Sequence, residues 1–116
     1  MNFNEKRDNL TRLEDVPFIR ILESRVEDPF FSITIPTFKR ADDLKNTINS
    51  ALNQDTCVPY EVIVVDNNPD RDDDTEIALK GYDNNILSYY KNDQNVGMVA
   101  NWNRCLMAAR GKWVVY

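Results

Sequence analysis

Phe31-Ser32-Ile33-Thr34-Ile35 runs into Pro36-Thr37-Phe38, and Val62-Ile63-Val64-Val65 runs into Asp66-Asn67-Asn68, so that two β-branched runs each stop on turn residues. Short runs of this kind read as strands buried on both faces, which belong to parallel sheets covered by helices. In open sheets of that type, ligands sit outside the carboxyl ends of the strands, where strand order reverses. Pro36, Thr37, Phe38 and Asp66 therefore fall where a ligand is expected. A purely local reading stands beside this one, because Asp and Asn also favour strand-to-helix turns through hydrogen bonds to their own backbone. A buried carboxylate without a partner is costly, which weighs toward a functional role for Asp66.

Outward from these two runs the rhythm alternates. Leu44, Ile48, Ala51 and Leu52 share one helical face and predict a helix over about 40–54, with Asp42 and Asp43 in its dipole-favoured first turn. Pro59 introduces the second strand, Tyr60–Val65. A short helix over 73–80 follows, with Gly81 as its C′ residue, and then a strand at Ile86–Tyr90. Met98, Trp102, Cys105, Leu106 and Ala109 mark the core face of the next helix, which Gly111 closes. Trp113–Tyr116 opens a fourth strand and the chain stops inside it. The order β-α-β-α-β-α-β predicts an α/β fold with a parallel-rich sheet and flanking helices, truncated in its fourth strand. Residues 30–116 form this partial domain. Residues 1–29 read as a polar, irregular leader with a short helix around Val16, Phe18, Ile19, Ile21 and Leu22 packed on the domain edge.

Composition narrows the function. The net charge of −5 over 116 residues argues against nucleic acid as a partner. No apolar run reaches the ~20 residues of a membrane span, and residues 1–15 are too charged for a signal peptide, so a cytoplasmic chain is expected. Cys57 and Cys105 lack metal or redox spacing and read as reduced thiols. The absence of histidine removes His-dependent triads and His-ligated metals from these residues. Neither Gly-x-Gly-x-x-Gly nor Gly-x4-Gly-Lys occurs, which argues against dinucleotide dehydrogenases and P-loop enzymes.

What remains is polar chemistry at the strand ends: Thr37, Phe38, Lys39 and Arg40; Asp66 and Asn68; Asn95-Val96-Gly97; and Asn103 on the following helix. Such a set can hold a nucleotide. An aromatic offers a base its stacking surface, a carboxylate accepts from a base N–H or a ribose hydroxyl, and a cation meets phosphate. Each residue has a plainer role as well: Phe38 in the core, Lys39 and Arg40 in solvent, Asn95 to Gly97 as a turn before a helix cap. Asp72-Asp73-Asp74 reads as a helix start facing solvent rather than a metal site.

The ordered set Ser32-Ile33-Thr34-Ile35-Pro36-Thr37-Phe38-Lys39-Arg40, Gln54, Glu61-Val62-Ile63-Val64-Val65-Asp66-Asn67-Asn68, Asn95-Val96-Gly97, Asn103, Ala109 and Gly111-Lys112-Trp113-Val114 resembles the N-terminal half of a family 2 glycosyltransferase. The resemblance covers about residues 30–116. It implies the Rossmann-like nucleotide-binding half of a GT-A fold and transfer of a sugar from a nucleotide diphosphate sugar, with a UDP-sugar as the leading expectation. The acceptor would be a carbohydrate or a lipid-linked group, in surface or extracellular polysaccharide synthesis, with the complete protein cytoplasmic or peripheral at the inner membrane face.

By this resemblance the nucleotide-sugar site comprises Pro36, Thr37, Phe38, Arg40, Asp66, Asn68, Asn95, Gly97 and Asn103. Trp102 stands where an arginine often precedes the helix asparagine. The family's Asp-x-Asp motif, which binds Mg²⁺ or Mn²⁺, follows the fourth strand, so neither metal ligands nor catalytic residues are expected in this chain, and alone it should be inactive. A non-catalytic nucleotide-binding module and a non-functional remnant are the alternatives.

Overall fold

Every residue of Tyr60–Asp66, strand β3, is buried, because its two faces meet different layers. The computed structural model that shows this describes residues 18–82, 85–111 and 113–115. Val16 with the rest of 1–17, Lys112 and Tyr116 lie outside the described residues. Tyr60, Val62 and Val64 point into a cluster with Leu44, Ile48, Ala51, Leu79, Leu87 and Tyr89. Ile63 and Val65 meet Cys105 on the opposite face. Successive side chains of a strand alternate between faces, so a continuous apolar run is what a central strand needs.

Strand β2 (Phe31–Thr37) lies parallel to β3, in register from Phe31↔Tyr60 to Thr37↔Asp66. Strand β4 (Leu87–Asn92) is parallel to β3 on its other side. Strand β5 (Trp113–Val115) pairs parallel with the outer side of β2, over Phe31 to Ile33. Strand β1 (Phe18–Leu22) runs antiparallel along β4. The sheet order is β1-β4-β3-β2-β5. This mostly parallel, Rossmann-like α/β arrangement agrees with the predicted fold class. Pro36 fits inside β2 because Thr37 O accepts from Asn67 N at 2.9 Å. That turns the neighbouring Pro36 nitrogen toward β5, whose described pairing ends at Ile33.

Helix α1 spans Ala41–Leu52, with Leu44, Ile48 and Ala51 buried; Leu44 and Ile48 are each worth roughly 1.5–3 kcal/mol when fully buried. Helix α2 spans Asp74–Lys80. Asp73 caps it by accepting from Glu76 N at 2.9 Å, which satisfies one of the N–H groups that a helix start leaves without a partner. Helix α3 spans Met98–Ala108 and starts from Gly97 at φ 86°, a left-handed conformation that glycine adopts at little cost.

Four expectations need correcting. Phe18–Leu22 forms a strand where a short helix was expected. The unpaired edge of β4 offers a ladder from Phe18↔Asn92 to Leu22↔Tyr89, irregular between Arg20 and Leu22, whereas five residues cannot repay helix nucleation; Phe18 also packs on Tyr90, ring centroids 4.9 Å apart. Gly81 has φ −76° and ψ −11°, so it ends α2 in right-handed geometry and not as a left-handed C′ residue. Strand β4 continues beyond Tyr90 through Lys91 and Asn92, both fully buried. Lastly, α3 is rotated from its predicted face: Asn101, Asn103, Arg104 and Cys105 are inside, and Met98 and Trp102 are outside. The Arg104 guanidinium reaches under the sheet edge to lie 5.0 Å from the Phe18 ring, a cation–π contact that partly offsets its desolvation.

At the amino ends of β2 and β3, Glu61 gathers the chain's return into β5. It accepts from Ser32 Oγ at 2.6 Å, Arg110 N at 2.8 Å and Arg110 Nε at 3.2 Å. Gly111 N donates to Ser32 Oγ at 2.8 Å. A methyl group on Gly111 would sit 2.6 Å from the Phe31 carbonyl carbon, so the close approach itself requires glycine.

Candidate functional site

Strand alternation separates Asp66 from Asn67. Asp66 follows Val62 and Val64 onto the α2 side of the sheet, where it is fully buried. Its Oδ2 accepts from Tyr89 Oη at 2.7 Å and Lys91 Nζ at 3.2 Å, and its Oδ1 accepts from Asn68 N at 3.0 Å. Lys91 further donates to Asn68 O at 3.0 Å and Asp70 O at 2.7 Å, and Asp73 Oδ1 lies 3.1 Å away. Both oxygens of the carboxylate are therefore engaged within the protein. Burial first, and then the neighbouring Asp66 charge, push the Tyr89 hydroxyl well above its ordinary pKa, so it stays a neutral donor.

Asn67 lies on the α3 side. Its Oδ1 accepts from Asn92 Nδ2 at 3.0 Å and Val96 N at 2.9 Å, and its Nδ2 donates to Asn95 Oδ1 at 2.8 Å. Asn92 Nδ2 also donates to Asn101 Oδ1 at 2.7 Å, and Asn101 Nδ2 to Val65 O at 3.0 Å. Four asparagines thus tie the ends of β3 and β4, the loop over 93–97 and helix α3 into one polar joint. Asn67, Asn92 and Asn101 are buried, and although Asn92 Oδ1 has no hydrogen-bond partner among the described residues, the directional bonds these amides share restrict how the joint can be arranged.

Above this joint a cleft of about 480 Å³ opens beyond the carboxyl ends of β2 and β3. Pro36, Thr37, Phe38 and Arg40 form one wall; Asn67, Asn95 and Asn101 line its polar side; Met98 and Trp102 form the wall on α3. Arg40 also borders a neighbouring hollow of about 840 Å³ between the starts of α1 and α2. That larger hollow mixes Lys39, Arg40 and Lys45 with Asp42, Asp43, Asp73 and Asp74, and the opposed charges favour no one ligand class.

Of the predicted site residues, Pro36, Thr37, Phe38, Arg40 and Asn95 come together in the cleft. Asn68 borders the larger hollow, its side chain donating to Asp73 Oδ2 at 2.9 Å. Asp66 lies beneath, Gly97 starts α3, and Asn103 is buried on α3 without lining the cleft. Sequence reasoning passed over Asn67, Met98, Asn101 and Trp102. The signal for Asn67 was available in the strand period: if Val62 and Val64 face one layer, so does Asp66, and Asn67 faces the other.

The acidic run does not fit a divalent cation. Asp73 is occupied by its cap, Asn68 and Lys91, and Asp72 lies 3.6 Å from Lys80. Among the described residues no group of three or more metal-ligating side chains converges. The residue beside the run, Glu76, is fully buried. Burial acts to raise its pKa, but hydrogen bonds from Arg71 and Lys80 outweigh that and hold it at about 2.

With a mostly parallel sheet, a cleft at its carboxyl edge and these motifs in order, the comparison with known families is decisive. The model of the family described as Glycosyl transferase family 2 matches residues 32–116. The chain belongs to this family, and its function is of the glycosyltransferase type. Membership implies a nucleotide-sugar donor and an acceptor, and members commonly use divalent metals. No curated protein matches the chain. Among the described residues no helix is long and apolar enough to cross a membrane.

Proposed function

We propose that this chain binds the nucleotide of a nucleotide diphosphate sugar, with a UDP-sugar as the leading donor, for transfer to a carbohydrate or lipid-linked acceptor. The observation that carries this reading is the cleft beyond β2 and β3, which combines an aromatic side chain, amides and a cation in one space. Phe38 would stack on the base, Thr37, Asn67 and Asn95 would meet its edge or the ribose, and Arg40 would pair with the diphosphate. Asp66 and Asn68 act as positioning residues, setting the turn that presents Asn67. Gly97 and Asn103 support the helix that forms the far wall.

A hexose as the transferred sugar, a place in surface or extracellular polysaccharide synthesis and a cytoplasmic setting complete the proposal, on family membership alone. Among the described residues no three carboxylates converge to hold a metal, which supports the reading that this chain by itself binds donor without turning it over. A divalent ion, Mg²⁺ or Mn²⁺, would be held by carboxylates other than those paired here. Calorimetric titration with uridine diphosphate, and with guanosine and adenosine diphosphates in parallel, tests the reading. Saturable binding with UDP strongest is expected. Failure of all three to bind would overturn it.

A further inference from the structure

Strand β1 precedes the residues that the family model matches, 32–116, yet it is joined to the elements that carry the cleft. Along its backbone Phe18 pairs with Asn92 and Ile19 with Lys91. Those two consecutive residues of β4 grip the turn after β3 from opposite faces of the sheet. Asn92 Nδ2 donates to Asn67 Oδ1 and to Asn101 Oδ1, while Lys91 Nζ donates to Asp66 Oδ2 and to the carbonyls of Asn68 and Asp70. Ladder pairing fixes the backbone of both strands, and with it the faces to which their side chains point. Docking of β1 therefore sets the two side chains that place Asn67 and the turn around it.

The Phe18 ring reaches the opposite wall. It packs on Tyr90, centroids 4.9 Å apart, and the Arg104 guanidinium of α3 lies 5.0 Å from its centre. Arg104 is fully buried, and a guanidinium in the interior keeps its charge, so a ring face against it is worth more there than in water. Asn101 and Arg104 are three positions apart and share a face of α3. Asn101, bonded to Val65 O and Asn92, sets where the helix sits along its axis and how it is rotated. Arg104, nearly a turn further on, fixes the tilt through Phe18. Phe18 itself does not line the cleft.

An edge strand opens more readily than a central one. Strand β1 has five residues, stands at the end of the sheet order, and its register shifts between Arg20 and Leu22. Elements with so short a ladder detach for less free energy than global unfolding. Once β1 is detached, Arg104 has lost its ring and Lys91 and Asn92 the backbone they pair with. Resting on the nucleotide-binding reading above, we infer that Phe18 is a positioning residue for the donor: through Arg104 on one side, and through Asn92 and Lys91 on the other, it holds both walls of the cleft, so that docking of β1 and binding of nucleotide favour each other. A coupling of this kind is reciprocal.

Phe18→Leu keeps apolar bulk at the sheet edge but gives Arg104 no ring face. By calorimetry it should weaken UDP binding about fivefold, the size of one buried cation–π contact, whereas Phe18→Tyr keeps the face and should keep the affinity. Gly111→Ala, where the added methyl meets backbone at the amino end of β2, should lower the urea midpoint and leave UDP affinity unchanged, which separates positioning from general stability. Reciprocity supplies a second readout in the unaltered chain. Hydrogen exchange of the segment Phe18–Leu22 should slow by at least about fivefold at saturating UDP, since the detached strand forfeits ring and ladder together.

UDP affinity that is unchanged in Phe18→Leu, is weakened as much in Gly111→Ala or in Phe18→Tyr, or comes with no slowing of exchange in Phe18–Leu22 would overturn this inference while leaving nucleotide binding intact. Absence of UDP binding by the unaltered chain would overturn both.

Discussion

Lys91 Nζ stands 3.2 Å from Asp66 Oδ2, and neither side chain is exposed to solvent. The ammonium is also enclosed by the Asn68 and Asp70 carbonyls and the Asp73 carboxylate. It is a tethered cation that folds the turn after β3 around itself. Lys91→Met strands the Asp66 charge in the interior, and should destabilise the chain by ~3–5 kcal/mol. The double variant Asp66→Asn with Lys91→Met should cost less than the two singles combined, because it removes both charges. Urea unfolding of all three variants checks this, and additive losses would show that the pair is not coupled.

Asn67→Ala should weaken UDP binding about tenfold, roughly 1.4 kcal/mol, by removing one donor and loosening Asn95. Ile77→Ala, on the exposed face of α2, should leave affinity unchanged. Parallel calorimetric titrations decide between a specific contact and a general loss of stability.

Glu76 makes stability depend on acid. Its ordinary pKa is 4.5 and its folded value about 2, so the unfolded chain takes up the proton first. The contribution is complete above about pH 4.5 and is lost as pH falls toward 2, amounting to about 2 kcal/mol once partial solvent screening at Arg71 and Lys80 is allowed for. Thermal melts at stepped pH should show this decline, and Glu76→Gln should flatten it at the expense of stability at neutral pH.

The two thiols should differ in reactivity. Cys57 is exposed and Cys105 buried, and burial pushes the Cys105 thiol up to about 12. A thiol-reactive dye should label one cysteine in the folded chain and both in denaturant. Rapid labelling of both in the folded state would mean that α3 lifts readily from the sheet.

Gly111→Ala should be among the costliest single methyl additions, because the new carbon meets backbone at 2.6 Å and backbone cannot swing aside. A loss of ~1–3 kcal/mol is expected from overpacking, read as a lowered urea midpoint. A neutral result would show that the return into β5 has slack.

How far the sequence could be read depended on the range of the interactions involved. Strands β2 and β3 and helix α1 were legible because their apolar periodicity matches the layers that bury them. The strand β1 was not, since Phe18–Leu22 takes its form from a partner, β4, about seventy positions away. Lys91 and Asn92 were missed because buried polar residues look like a strand end until their distant acceptors are known. Periodicity misled outright at α3, where an apolar stripe usually means core and here Met98 and Trp102 face a cleft. Five of the nine predicted site residues met in that cleft, since position at a strand's carboxyl end is a topological property. Asp66 was placed at the right strand end, but the strand's period had already turned it to the opposite layer.

A helix laid on a sheet through aliphatic side chains alone can slip along its axis or roll by a fraction of a turn, because such contacts are alike in many poses. Helix α3 has little of that freedom. Asn101 is bonded to Val65 O and to Asn92, at 3.0 and 2.7 Å, and directional bonds of this kind admit one axial position and one rotation. The helix is seated like a key in its wards, so the wall it carries stands in place before any ligand arrives. Little ordering is then left to be done at the moment of binding, and affinity measured there should report contact with the ring more than the work of shaping a pocket.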